Sequence, residues 1–362
     1  MSLSLITDAV TSSISTFELG RPKMEGNAWL QVMASLCYCF FVGKLVPPFR
    51  SFLRLLLLLP VVCFFLYLPL NLHSLSLIGI FSYFFSWLAN FKLLLFAFNK
   101  GPLSHPSLSL PRFITLASLP IEFRDHNNSN KNQQGQKSPL NYAIKSLLLV
   151  VIIRSYEFKD HFHPKLVLTL NIALMYLNLE IIPVVFAAMG RTLLGVELEP
   201  QFNKPYLASS PQDFWRRWNV MAKNILKLAV YNPAYSISIG LVGRQWASLP
   251  AVFVTFLVSG LIHELIFYYQ CRLRPTWEIT GHLILHGLCV MAEITLKKKL
   301  SGTAVRLPKV VSRPLTIGFT LVSWYWLFFP QFLRCNLFER ALQENAAMIA
   351  FLKNATYYFA RA

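Results

Sequence analysis

Charge is scarce in this chain of 362 residues. Only 14% are Asp, Glu, Lys or Arg, and only 16 are acidic. A water-soluble domain normally devotes about a quarter of its residues to charge, so an ordinary soluble globule is excluded. Several motifs are missing as well. There is no GxSxG elbow, no phosphate-binding GxxxxGK[ST] loop and no GxGxxG between a strand and a helix, which excludes serine hydrolases, nucleotide hydrolases and phosphotransferases. The six cysteines (Cys37, Cys39, Cys63, Cys271, Cys289 and Cys335) contain no CxxC pair. They predict neither a disulfide framework nor a zinc site and read as inert apolar filler. Residues 1–23 are polar and lack the basic start and apolar run of a signal peptide. They are expected to be a disordered extension ahead of a single membrane-embedded domain over 24–362.

Apolar residues are abundant instead: 55% of the chain is hydrophobic and the mean hydropathy is +0.47. They come in blocks matching the roughly 20 residues a helix needs to cross a hydrocarbon core. Spans are expected near 28–46, 53–70, 75–98, 141–156, 165–188, 247–270, 279–296 and 314–333, with a ninth apolar segment at 346–360. The fold class is therefore all-α: a polytopic transmembrane protein with about eight spans, seven to nine allowing for the shortest.

The net charge of +18 admits nucleic acid or an anionic membrane surface as its cause. Its placement decides for the membrane. Lys44, Arg50 and Arg54 lie between the first two spans, five basic residues between the third and fourth, seven between the fifth and sixth, and Lys297, Lys298, Lys299, Arg306, Lys309 and Arg313 between the seventh and eighth. The alternate loops hold only Lys159, Arg272 and Arg274. By the positive-inside rule, loops 99–140, 189–246 and 297–313 face the cytosol and the segment after the eighth span is lumenal. The polar stretch 125–139 reads as a flexible loop.

Within 189–246, residues 212–228 read as one helix. Phe214, Trp218, Met221, Ile225 and Leu228 fall within about 80° of one another at 100° per residue. Arg216, Lys223 and Lys227 gather opposite, with Asn219 near that polar edge. Ser209 and Ser210 are plausible caps. Such a helix is expected to lie in the interface plane with Trp215 and Trp218 at headgroup depth. A bare anchor explains the aromatics and lysines, but not the pairing of Arg216 and Arg217 with two tryptophans and an asparagine.

His263 is the sharpest candidate for chemistry. It lies in an apolar span, where ionisable residues are expensive and point to function. A buried neutral imidazole suits a general base acting on a hydroxyl. The alternative is a hydrogen-bonded structural histidine. Glu264 beside it could orient it or pair elsewhere. His282 and His286 are four apart, so they share a helix face and could line a cavity near His263. Neither a third nor a fourth metal ligand is evident and HExxH is absent, so no metal is expected.

At these residues the chain resembles the membrane-bound O-acyltransferase superfamily and, within it, the plant wax synthase-like branch. The resemblance rests on 205–219, ending in Phe214-Trp215-Arg216-Arg217-Trp218-Asn219, and on Val258-Ser259-Gly260-Leu261-Ile262-His263-Glu264-Leu265. It covers residues 24 to about 335. It implies that His263 and Asn219 are the catalytic pair. It implies no cofactor; acyl-CoA would be the co-substrate and a lipophilic alcohol the acceptor, in the endoplasmic reticulum. A long-chain fatty alcohol giving wax esters is the leading acceptor and a sterol or triterpene alcohol the alternative. Arg216, Arg217, Lys223 and Lys227, with Trp215 and Trp218, would meet the CoA phosphates from the cytosol. One geometric tension follows. If its span starts at 247, His263 lies about 24 Å along the helix from the cytosolic end. Asn219 then either re-enters in a protein-lined cavity or acts on CoA away from the reacting carbon. A transporter using His263, Glu264, His282 and His286 as a proton relay is the reading from another class; it predicts inverted repeats, and none is found.

Overall fold

A computed structural model describes residues 22–119, 139–163, 166–167, 169–177, 202–300, 308–341 and 343–344. Among these the regular structure is helical, with no strand. Six helical stretches are long and apolar enough to cross a membrane: Asn27–Leu45, Ser51–Asn71, Leu75–Ala97, Val220–Trp246, Ser248–Cys271 and Glu278–Lys299. Five match expected spans. Val220–Trp246 does not, because the sequence reading assigned it to a cytosolic loop. Its apolar residues are diluted by Lys223, Asn224, Lys227 and Asn232, and this hides a continuous helical run. The expected span 141–156 is helical over Pro139–Ser155 (α6), and 314–333 lies in helical structure running from Lys309 to Arg334. Most of 165–188, together with 346–360, 125–138 and residues 1–21, lies outside the described residues.

The chain divides into two compact units. The first takes the described residues within Met1–Ser118, Ile225–Leu307 and Ile317–Ala362; the second takes those within Leu119–Asn224 and Pro308–Thr316. The first unit contains α1 (Pro22–Leu45), α2 (Ser51–Tyr67), α3 (Leu75–Phe81), α4 (Asn90–Ala97) and α5 (Leu110–Ser118). A π-helical stretch, Ser82–Ala89, joins α3 to α4. The buried rings of Phe65 and Phe81 both pack on Phe85 (5.5 and 5.2 Å), and buried Phe113 packs on Phe96 (5.3 Å).

Helix ends in this unit are closed by charged side chains from elsewhere in the chain. Arg54, 2% exposed, donates to the carbonyls of Gly43 (3.2 Å) and Val46 (2.5 Å) at the end of α1, and of Phe96 (3.3 Å) at the end of α4. Lys92, fully buried, donates to the Leu116 carbonyl in the last turn of α5. The last carbonyls of a helix have no partner within it and carry partial negative charge, so a cation is the fitting cap. The sequence reading took Arg54 for a loop residue; it is a buried cap instead.

The second half of the unit holds α9 (Asn232–Trp246), α10 (Ser248–Cys271) and α11 (Glu278–Lys299). Tyr269 donates to the Leu66 carbonyl (2.6 Å), and Arg272 to those of Pro69 (2.7 Å) and Leu70 (3.0 Å). The far ends of α2 and α10 are thereby joined, leaving their starts toward the opposite end. That end carries Lys44, Arg50, Lys100, Arg244 and Lys297–Lys299. The joined end carries a disulfide between Cys271 and Cys335, where the sequence reading expected none. The partners are 64 residues apart. Folding brings their Cα atoms to 5.5 Å, within the range a bridge requires. The bridge thus lies at the end opposite those basic residues.

Three outcomes follow. Replacing Arg54 with Met takes its donors from the Gly43 and Val46 carbonyls, while the Phe96 carbonyl keeps the Asn99 N–H (3.0 Å), and should lower stability by about 2–4 kcal/mol, read as a drop in the detergent-solubilised unfolding midpoint. Denatured, unreduced protein should accept four maleimide-polyethylene glycol labels, on Cys37, Cys39, Cys63 and Cys289, and six after reduction. Six labels before reduction would exclude the bridge. In the same membranes Asn127, in a loop expected to be cytosolic, should carry no glycan.

Candidate active site

The expected histidines come together in the first unit. Helices α10 and α11 form a close antiparallel pair because glycines open the contact. A Cβ on Gly260 would stand 2.9 Å from the Thr280 Cα, and one on Gly287 would stand 2.9 Å from the Phe256 Cβ. Small residues at crossings let membrane helices approach this way. The approach brings His263 of α10 near the same aromatic ring as His282 of α11. That ring belongs to Phe328, whose centroid is 6.2 Å from His263 and 5.7 Å from His282.

His263 is half-buried and its Nδ1 lies 2.7 Å from the Ser259 carbonyl oxygen. A carbonyl can only accept, so Nδ1 carries the proton. In the neutral ring Nε2 then bears the lone pair. This is the tautomer a general base at Nε2 requires.

Glu264 does not serve His263. It is 4% exposed and turned to α11, where its Oε1 accepts from the Thr280 N–H (3.2 Å) and hydroxyl (3.4 Å). It closes the start of α11, whose own cap residue, Trp277, provides no side-chain bond. Of the two roles the sequence left open for Glu264, the structure takes the pairing elsewhere.

His282 and His286 do share a face, their ring centroids 4.5 Å apart. Both are 1% exposed. The Ser323 hydroxyl donates to the Thr320 carbonyl (2.9 Å), so His286 Nε2 donates to Ser323 Oγ at 2.8 Å. His282 has no hydrogen-bond partner on either ring nitrogen. Ser323 ends α12 (Lys309–Ser323), and Phe328 ends the π-helical Trp324–Phe328 that leads into α13 (Phe329–Arg334). Sequence reasoning missed both residues. A hydroxyl at the head of the aromatic run 324–329 was the one trace of them. Among the described residues no cluster of three His, Cys, Asp or Glu could hold a metal ion.

The tryptophan–arginine motif is built in the second unit. Ser210 caps α7 (Pro211–Arg217), its hydroxyl accepting from the Asp213 N–H at 3.1 Å, as the sequence suggested. The segment 212–228 is helical, but as separate pieces rather than one helix. Trp218 is extended (ψ 127°) and Asn219 left-handed (φ 39°), ending α7 before α8 (Val220–Leu226) begins. Asn is among the few non-glycine residues that tolerate this conformation. Its Oδ1 accepts from the Ala222 N–H at 3.1 Å and starts the new helix. Trp218 stacks on Phe214 (5.4 Å) and meets Phe202 edge-on (5.1 Å), so it is packed within the unit.

Arg216 and Arg217 both pair with Asp213, at 2.6 and 3.0 Å, and Arg216 stays 69% exposed. Burial alone would raise the Asp213 pKa, but hydrogen bonds from Arg216, Arg217 and the Ser209 N–H outweigh it and hold the carboxyl below its usual range. Lys223 lies in this unit, whereas Lys227 lies in the first and is exposed.

A depressed folded-state pKa contributes stability that is complete above the ordinary Asp value, near 3.9, and lost as pH falls through the folded value. Asp213→Asn should therefore lower the thermal midpoint at pH 7. The gap from wild type should shrink below about pH 4. A gap that is constant from pH 7 to pH 3 would contradict the charge-based origin.

The arrangement is a multi-pass membrane protein with a buried histidine cluster in one unit and an arginine–tryptophan–asparagine segment in the other. Comparison with known proteins defines it further. Residues 198–285, which contain Asn219, His263 and His282, match the membrane bound O-acyl transferase family. The chain is 46% identical over 331 residues to acyl-CoA–sterol O-acyltransferase 1 of Arabidopsis thaliana, covering 90% of this chain and 95% of that protein. It is 43% identical to a long-chain-alcohol O-fatty-acyltransferase of Simmondsia chinensis, covering 90% and 94%. It is 41% identical to the probable long-chain-alcohol O-fatty-acyltransferase 3 of Arabidopsis thaliana, again covering 90% and 94%. The chain belongs to the membrane bound O-acyl transferase family and is an O-acyltransferase. Family membership sets aside the transporter reading.

Proposed function

We propose that the enzyme transfers a fatty acyl group from acyl-CoA to the hydroxyl of a long-chain fatty alcohol, giving a wax ester, in the endoplasmic reticulum membrane. The observation that carries this reading is the geometry of His263: an imidazole in a membrane-length helix, with Nδ1–H fixed on the Ser259 carbonyl and Nε2 as the basic nitrogen. His263 Nε2 takes the proton as the alcohol oxygen attacks the thioester carbon. The C–S bond breaks, the CoA thiolate leaves, and the proton passes from the imidazolium to that sulfur. The apolar surroundings disfavour a lasting imidazolium and so favour its return to the neutral base. The Asn219 amide, oriented by the Ala222 N–H, would hold part of CoA. Arg216, Arg217, Lys223 and Lys227 would meet the CoA phosphates, with Trp215 and Trp218 shaping that surface. A disulfide at the end opposite the basic residues supports the endoplasmic reticulum, whose lumen is oxidising.

A sterol or triterpene alcohol is the second reading, favoured by the 46%-identical relative whose name specifies a sterol. Two relatives named for long-chain alcohols, at 43% and 41% identity, support the first.

Membranes containing the protein, given labelled acyl-CoA and a panel of fatty alcohols, sterols and triterpene alcohols, should yield chiefly wax esters. Steryl esters as the main product would replace the first reading with the second. His263→Ala should reduce turnover by at least about 1,000-fold at unchanged protein level, within the scale of a lost general base. Full turnover by a correctly inserted His263→Ala enzyme would remove the proposed base.

A further inference from the structure

His282 is buried without a partner. A neutral imidazole offers one donor and one acceptor, and a buried polar group left unpaired is unfavourable by roughly 1–3 kcal/mol. Both ring nitrogens of His282 are in that condition at 1% exposure. The Ser323 carbonyl lies nearby without meeting hydrogen-bond geometry. The neighbouring histidines are placed differently, since His263 uses Nδ1 on Ser259 and His286 uses Nε2 on Ser323. His282 sits beside His286 and shares with His263 the ring of Phe328. Phe328 and His263 are both half-buried, so this side of the cluster is the one not closed off by packing.

We infer that His282 is a specificity-determining residue that binds the hydroxyl of the acceptor alcohol. Its ring N–H donates to one lone pair of the alcohol oxygen. The other lone pair attacks the thioester, and the hydroxyl proton points at His263 Nε2. A hydroxyl meets both demands at once, being a donor to the base and an acceptor from His282. A thiol does not, because sulfur is a weak acceptor. The inference rests on the acyl-transfer reading and adds to it the group that distinguishes oxygen acceptors.

The test compares a long-chain alcohol with the thiol of the same chain length, in membranes bearing wild-type, His282→Phe or His282→Gln protein at matched levels. His282→Phe keeps a flat ring and removes both polar atoms. It should lower kcat/KM for the alcohol by about 10- to 100-fold, the range expected for one lost buried hydrogen bond. The value for the thiol should change by less than about threefold, and KM for acyl-CoA should not change. His282→Gln restores a donor and should recover most of the preference for alcohol over thiol. A His282→Phe enzyme with the wild-type alcohol-to-thiol ratio overturns the inference. So does an equal fall with both acceptors in both variants, which would make His282 a packing residue. If wild-type protein esterifies no alcohol in the panel, the acyl-transfer reading fails before His282 is at issue.

Discussion

Backbone amides and carbonyls at helix ends have no partner within their own helix, and hydrocarbon offers none. This protein meets that constraint with charge borrowed from other parts of the chain. Arg54 closes the ends of α1 and α4, Lys92 closes α5, and Lys298 donates to the Gln245 carbonyl near the end of α9. Carboxylates do the reverse at helix starts. Glu264 closes α11, and Glu344 reaches the Ser76 N–H (2.9 Å) and the Ser74 hydroxyl (3.2 Å) at the start of α3. Each sign matches the partial charge of the helix end it meets. Each contact also ties two distant segments, so satisfying the backbone and fixing the tertiary fold are one event. The sparse charges of this chain are thus placed where the backbone needs them.

The same habit explains what could be read from sequence and what could not. Spans were legible because a 20-residue apolar run has few other uses. His263 was legible because an imidazole there is expensive, and the His282–His286 pairing follows from spacing alone. Charges in or beside spans were harder. Arg54 and Lys298 read as loop charges marking the cytosol, a reading silent about the carbonyls they hold. Glu264 looked like a partner for His263 because it is adjacent in sequence. Adjacent residues on a helix point about 100° apart, and it faces the start of α11 instead.

The break at Trp218–Asn219 was hidden for a related reason. Apolar periodicity continues through 214–228 as though no break existed, and only the conformational tolerance of asparagine signals one. Asn219 therefore has a structural task, starting α8, beside the one its motif implies. The disulfide was invisible for a different reason. Cys271 and Cys335 are 64 residues apart, and nothing local says that the ends of α10 and α13 meet. The bidentate pairing of Arg334 with Glu278 reinforces the same junction.

The wide turn at Trp324–Phe328 is closed by the Phe329 N–H on the Trp324 carbonyl, five residues back. In a uniform α-helix, residues five apart stand about 140° apart around the axis; a turn closed over five residues brings them toward one side. Ser323 and Phe328 are five apart, and one meets His286 while the other meets His263 and His282. The histidine neighbourhood thus depends on how many residues stand between them as much as on which residues these are. Its information is metrical. Side-chain replacement from 324 to 327 would leave the count intact, whereas tightening the same residues to an α pitch would put Ser323 and Phe328 about 140° apart and swing Phe328 away from its partners. Length within this helix is under a constraint that no inventory of side chains records.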